Sequence, residues 1–278
     1  MMKFTVLERF VASVILGICS LIWIFPVAWA FFTSFKSKNE ILSSSFSMFP
    51  KKYILDNYLE LLDSNEQTPV LTWFFNSIVI SVGQTILVLI VVSLAAYGYT
   101  RVDFRGRDLL FLILLSTMMF PAVLSLIPNY KIIDSMGLVN SPLAVILPGA
   151  AGVYNVFLVH QFAKGIPKDL DEAATIDGAN HLQIFFHVIL PLIKPALTVV
   201  ALFTFAASWN DFLWPSIVLT DVEAMAITPG LQLLQGQYET YPGIATAGAL
   251  IALLPMLGMF MFAQKYFMQA LQLSSGIK

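Results

Sequence analysis

Residues able to do covalent chemistry are scarce in this 278-residue chain, which has three histidines and one cysteine. His181 and His187 stand six apart, a separation without a convincing zinc-ligand pattern. Cys19 lies in an apolar run, where it reads as a small packing residue, and a lone cysteine closes no internal disulfide. The sequence contains no G-x-x-x-x-G-K-[ST] phosphate loop. The most informative stretch is residues 167–195, which reads PKDLDEAATIDGANHLQIFFHVILPLIKP. Pro167 suits a first helical turn. Asp169, Asp171 and Glu172 then meet the positive end of the helix dipole, and Ala173 and Ala174 are strong helix formers. Gly178 has the place of a left-handed cap. Asn180 and Gln183 are spaced for a capping box that opens a second helix, with Leu182, Phe185 and Phe186 on its apolar face. Pro191 and Pro195 each remove one backbone hydrogen bond, so a bend is expected where this helix runs on.

The elements that position this stretch follow from composition. The chain is 58% hydrophobic and 12% charged, with 23 Phe; soluble domains carry about 25% charged residues. Six stretches approach the ~20 apolar residues that cross a ~30 Å bilayer core. They run over about 10–32, 73–99, 109–127, 142–162, 188–209 and 244–263, and predict an all-α polytopic membrane protein folded as a single transmembrane domain over 1–278. They hold no Asp, Glu or Arg; Lys194, near an end, can snorkel. Lys3, Arg9 and Ala28-Trp29-Ala30 imitate a signal peptide, but the apolar run exceeds the ~7–15 residues of such a segment and predicts a retained helix. A net charge of −2 argues against a nucleic-acid partner.

Six spans put both termini on one side. That side carries Lys3, Arg9, Arg101, Arg105, Arg107, Lys164, Lys168, Lys194, Lys265 and Lys278, against Lys36, Lys38, Lys51, Lys52 and Lys131 on the other. The positive-inside rule makes the first side cytoplasmic. The loop 167–187 is then cytoplasmic, and the acidic segment 211–243 is external.

On that side, Glu172-Ala173-Ala174, Gly178 and Val188-Ile189-Leu190-Pro191 reproduce, with Val188 in place of Ile, the spacing Glu-Ala-Ala, three residues, Gly, nine residues, Ile-x-Leu-Pro. Asp177 and Ala179 flank the glycine as they do in that pattern. The chain thus resembles the permease subunits of ABC importers. Asn57-Tyr58, Asn76-Ser77, Ala95-Ala96-Tyr97, Phe104-Arg105-Gly106-Arg107, Ile127-Pro128, Gly137-Leu138, Trp209-Asn210-Asp211-Phe212-Leu213-Trp214-Pro215 and Gln264-Lys265-Tyr266-Phe267 resemble the carbohydrate-uptake, maltose-transporter-type branch. From Ala270 to Lys278 the likeness is loose.

The resemblance implies a prokaryotic plasma-membrane assembly. A second homologous permease would pair with this chain, two ATP-binding subunits would lie inside, and an extracytoplasmic solute-binding protein would deliver a sugar. ATP and Mg would sit on the partner ATPase, and this chain would hold no cofactor and catalyse nothing. Glu172 and Asp177 would contact the ATPase, Ala173 and Ala174 would allow close approach, Gly178 would turn the chain, and Pro191 would mark the entry to span five. Asp221, Glu223, Gln235, Gln237 and Tyr238 are candidates for the binding-protein contact. Asn76, Ser77, Asn129, Tyr130, Tyr154, Asn155, Trp209 and Asn210 have the hydrogen-bonding and aromatic chemistry of a sugar path.

Three alternatives stand beside this reading. A permease of the same superfamily could carry a polyamine, phosphate ester or peptide. A secondary transporter usually needs intramembrane ionisable groups, and ATP-independent uptake would reveal one. A membrane-embedded enzyme would show turnover in the isolated chain.

Overall fold

A helix that is apolar on every side has no water-facing surface to offer, and α1 (Val6–Thr33) is such a helix, with Leu21 and Trp23 71% and 81% exposed. The computed structural model describes residues 6–43, 47–63, 68–150, 152–236 and 242–274. Beyond α1 lie α2 (Lys38–Ile41), α3 (Asp56–Leu62), α4 (Val70–Arg101), α5 (Arg107–Ser116), α6 (Leu126–Ser135), α7 (Pro142–Gly149) and α8 (Val153–Lys164). The chain continues through α9 (Asp169–Ile176), α10 (His181–Ile184), α11 (Leu190–Asn210), α12 (Leu213–Val218), α13 (Ile227–Gly236) and α14 (Pro242–Ser274). The described residues contain no strand, and the protein is an all-α, polytopic membrane protein.

Four continuous helices are long and apolar enough to cross a membrane: α1, α4, the run His181–Asn210 and α14. The third and fourth spans depart from the expectation of unbroken helices over 109–127 and 142–162. Arg107–Met119 and Ala122–Ser135 meet at 99°. Phe120 and Pro121 lie between them in extended conformation, with ψ of 127° and 121°, because a proline pushes the residue before it out of helical geometry. Pro142–Gly149 and Val153–Lys164 meet at 47°. Here the break falls before Gly152, where a Cβ would come within 2.8 Å of the Asn155 amide.

The chain divides into two compact units. In the unit of residues 1–71 and 230–254, the Asn57 amide donates to the carbonyls of Ser34 (2.8 Å) and Lys36 (2.9 Å), just after α1 ends. The neighbouring Tyr58 hydroxyl meets Ser34 Oγ at 2.8 Å. Lys36 is buried, lies 4.8 Å from the Trp29 ring and donates to the Ser47 carbonyl. The Asn57-Tyr58 pair thus caps and fastens the end of the first span.

The unit of residues 72–229 and 255–278 holds two apolar cores. One joins Val88, Val92 and Ala96 of α4, Val156, Val159 and Ala163 of α8, and Ile189, Ile193, Ala196 and Val200 at and beyond the start of α11. These positions recur every three or four residues, the period that places side chains on one helix face. The other core joins Ile80, Ile133, Ala144–Ile146, Val218 and Leu219. Asn140, the only non-glycine residue at positive φ (62°) among those described, accepts the Thr220 and Asp221 amides beside that second core at 2.6 and 3.1 Å.

Candidate functional site: the loop before the fifth span

The acid-rich stretch folds as two short helices around a glycine. Gly178 has φ +86°; its N–H donates to the Thr175 carbonyl (3.0 Å), and the Ala179 N–H donates to the Ala174 carbonyl (2.9 Å). This pair of bonds is a Schellman closure, which satisfies carbonyls left open at a helix end. Two residues on, Asn180 Oδ1 accepts the Gln183 amide (3.0 Å), while Gln183 Oε1 accepts the Asn180 amide (2.8 Å). The turn between α9 and α10 is therefore bonded on both flanks.

At the position where Pro191 and Pro195 predict a bend, the helix stays continuous from His181 to Asn210 and widens into a π turn over Phe185–Ile189. The Leu190 N–H donates to the Phe185 carbonyl, five residues back. Pro191 follows immediately, with no N–H to donate.

Burial divides the alanines. Ala173 is exposed, whereas Ala174 packs against the first apolar core, as does Ala179. Ala173 therefore lies on the open side of α9, while Ala174 is half-buried on the side turned to the core. The outward face carries Glu172, Ile176 and Asp177. Ile176 is 86% exposed, although an isolated helix of this size gains nothing from an apolar residue held in water.

Behind that face, α9 is fastened to the end of α4. Arg101 Nε lies 2.7 Å from Asp171 Oδ2, with side chains only 5% and 18% exposed. Arg101 Nη2 also donates to the Ile166 carbonyl at 2.9 Å. One turn earlier on α4, the Tyr97 hydroxyl donates to the His181 carbonyl (3.1 Å), and its ring meets Phe185 edge-on at 5.3 Å. The spacing places Asp171 in the first turn of its helix, where the dipole favours it, but does not point to Arg101, Tyr97 or His181 as its neighbours. The available clue was an arginine ending an apolar run of some thirty residues, where a partner is needed to hold it close to the membrane.

The opposite end of the same unit is also ordered by α4. Trp73 Nε1 donates to the Val222 carbonyl (2.6 Å). Asn76 Nδ2 reaches the Glu223 and Met225 carbonyls at 2.8 and 3.0 Å, and Ser77 Oγ accepts the Ile227 amide at 2.8 Å. The Asn76 amide hydrogens are thus committed to backbone. Asp221 and Glu223 are exposed beside this clamp. The Gln235 side chain, Gln237 and Tyr238 lie outside the described residues.

The other polar candidates are scattered. Trp209 is buried, stacked on Phe205 (5.9 Å, 8°) and edge-on to Phe74 (5.6 Å). The Asn210 amide donates back to the Ala206 carbonyl at 2.7 Å. Asn155 Nδ2 approaches Thr204 Oγ1 at 3.4 Å, and Ser208 Oγ donates to Gln84 Oε1 at 2.9 Å. Tyr154 is 58% exposed; Tyr130 is exposed and Asn129 half-buried. Asn155 thus joins a polar seam of α4, α8 and α11 that includes Gln84, Thr204 and Ser208, which composition gave no reason to single out.

Comparison with known proteins places this geometry. The model of binding-protein-dependent transport system inner membrane components matches residues 90–272. The chain is 35% identical over 261 residues to the arabinooligosaccharides transport system permease protein AraQ of Bacillus subtilis, covering 93% of this chain and 92% of that one. It is 32% identical over 273 residues to the trehalose/maltose transport system permease protein MalG of Thermococcus litoralis, covering 97% of each. Over 260 residues it is 32% identical to the diacetylchitobiose uptake system permease protein NgcG of Streptomyces coelicolor, covering 92% and 84%. In fold it is similar to a chain from the crystal structure of a bacterial ABC transporter involved in the import of the acidic polysaccharide alginate. The TM-score there is 0.83 at 24% identity, over 96% of this chain and 100% of that one.

Proposed function

The chain belongs to the binding-protein-dependent transport system inner membrane components, and from that premise we propose that it is the sugar-translocating permease subunit of an ATP-driven ABC importer. Its cargo is an oligosaccharide or a smaller sugar, the class named for the similar permeases of Bacillus, Thermococcus and Streptomyces. A second homologous permease completes the pathway, and two ATP-binding subunits work from the cytoplasm, holding ATP and Mg. An extracytoplasmic binding protein presents the sugar to the outer face that includes Asp221 and Glu223. Both termini of this chain are cytoplasmic.

The observation that supports this reading most is the mounting of α9. Its outward face offers one large apolar side chain, Ile176, beside Glu172 and Asp177. Its inward face is tied by the buried Arg101–Asp171 pair to α4, and its following turn is fixed through Gly178 and Asn180. A helix that docks on an ATPase must neither slide nor swivel against the spans it moves. Closure of the ATPase pair then displaces α9 and α4 together, and the force enters the fifth span through the unbroken helix that starts at His181.

The test is ATP hydrolysis by the assembled complex in lipid nanodiscs, with its binding protein, across a panel of mono- and oligosaccharides. Hydrolysis stimulated by one sugar class is the expected outcome and names the cargo. Stimulation by a polyamine or phosphate ester instead, with every sugar inert, replaces the cargo while keeping the importer. Solute uptake that continues after ATP is removed overturns the proposal.

A further inference from the structure

Three span ends meet beside the docking helix and enclose a cleft of about 370 Å³. The last residue of α4, Arg101, the first of α5, Arg107, and the last of α8, Lys164, all line it, as does Lys168 just before α9. Arg101 is engaged by Asp171, and Arg107 by Asp103 (2.8 Å) and Asp108 (3.2 Å), Asp108 being the one acid in the lining. Lys164 and Lys168 have no hydrogen-bond or ion-pair partner among the described residues, so two uncompensated cations face one concavity. The cleft's other wall is aromatic. Phe111 stacks on His160 at 4.1 Å and packs against Tyr99 at 5.1 Å. His160 is 8% exposed, and its Nδ1 is buried with no partner among the described residues.

We infer that this cleft binds the phosphate headgroup of an anionic phospholipid, with Lys164 and Lys168 as the charge-bearing contacts. A phosphate brings the negative charge that the two lysines lack. The aromatic wall and the position at the ends of three membrane helices suit the glycerol and first acyl carbons that follow a lipid phosphate, and would be wasted on a free inorganic ion. Basic pockets between membrane helices recognise anionic headgroups by this combination of charge and depth. Since Arg101 is shared between the cleft and Asp171, a bound headgroup sits one side chain away from the docking helix.

The test uses the intact complex in nanodiscs of equal phosphatidylglycerol and phosphatidylcholine, with retained lipids counted on this chain by native mass spectrometry after gentle release. This readout needs neither ATP nor sugar, so it fails or succeeds independently of the importer reading. In the Lys164→Gln/Lys168→Gln variant, phosphatidylglycerol retention should fall roughly twenty-five-fold, at about fivefold per lysine. Lys164→Arg/Lys168→Arg should retain it. The charge-matched control Arg9→Gln/Arg105→Gln, outside the cleft, should change retention by less than about twofold. Equal loss in the control would make the effect a general surface potential and overturn the site. Displacement of the lipid by millimolar inorganic phosphate, or equal retention of phosphatidylcholine, would overturn the lipid assignment.

Discussion

Arg101, the last residue of the second span, and Asp171, in the first turn of α9, form an ion pair 2.7 Å apart with almost no water around the guanidinium. Seventy positions of sequence separate them, yet the pair decides which face of α9 is left for a partner. Removing one member of such a pair leaves the other charge stranded, at a cost of about 3 kcal/mol. Asp171→Asn and Arg101→Met should each lower the thermal midpoint of the purified complex and weaken its sugar-stimulated ATP hydrolysis. The double variant Arg101→Met/Asp171→Leu should recover most of the stability, because no unpaired charge remains. Recovery of the midpoint without recovery of stimulation would assign the pair to force transmission; single variants as stable as the native chain would show that the pair holds nothing.

At Gly178 nothing lies within 4 Å of where a Cβ would stand, while φ is +86°. A defect in the folding of this chain on substitution therefore comes from the backbone rather than from a clash within it. A left-handed conformation costs an ordinary L-residue about 1–2 kcal/mol, so Gly178→Val should perturb α9 more than Gly178→Asn, which tolerates that region. Co-purification of the ATPase should follow the order Gly, Asn, Val. An order set by side-chain size alone, with Asn as damaging as Val, would contradict this account.

Ile176 is exposed without helping its own chain fold. Ile176→Asp should leave the thermal midpoint of the isolated permease pair within about 0.5 kcal/mol of native, as surface changes do. Its association with the ATPase should weaken about 30-fold, the scale of an interface hot spot. Unchanged association, measured by titrating ATPase onto nanodisc-held permease, would place the docking contact elsewhere.

Burial raises the Asp211 carboxyl above its ordinary value of 3.8, against the opposing pull of the Trp214, Leu213 and Phe212 amides. The folded state then holds its proton more tightly than the unfolded chain does. The stability contributed by protonation is full below the ordinary value and is lost as pH rises from there through the raised value. Asp211→Asn keeps an oxygen for those amides and removes the buried charge. Its thermal midpoint at pH 7.5 should exceed the native one, and the native decline as pH rises above the ordinary carboxyl value should flatten. A parallel decline in both proteins would assign the pH dependence to other groups.

The sequence made the hydrogen-bonded turn between α9 and α10 legible, because caps are short-range: Gly178 needs only its own φ, and Asn180 and Gln183 need only each other. Long spans were legible for a similar reason, since apolar length is a local property. The 99° break after Phe120 is hidden in the sequence because Pro121 sits inside an apolar run that satisfies the length of a span whether or not the residue before the proline leaves helical geometry. That Arg101 needs a partner follows from its place at the end of an apolar run, but its pairing with Asp171, and that of Asn76 with the 223 and 225 carbonyls, does not. Those contacts depend on which face of α4 meets which loop, and a helix apolar almost all round gives no periodic stripe from which to infer it. The same limit applies to Ala173 and Ala174, adjacent in the Glu-Ala-Ala motif but separated by about 100° of helical rotation, so that only Ala174 packs on the core.

The π turn at 185–189 has a consequence for length. A π turn holds one residue more than the α turn it replaces, so the interval between the glycine turn and Pro191 contains a spare residue. Removing one residue there should tighten the turn to ordinary helix while leaving the docking helix and the fifth span facing as they do. Anywhere else in α10 or α11 the same deletion would rotate one end against the other by about 100° and turn α9 relative to the fifth span. The motif's spacing therefore has slack at one place only, and that place is where the helix passes from the loop into the fifth span.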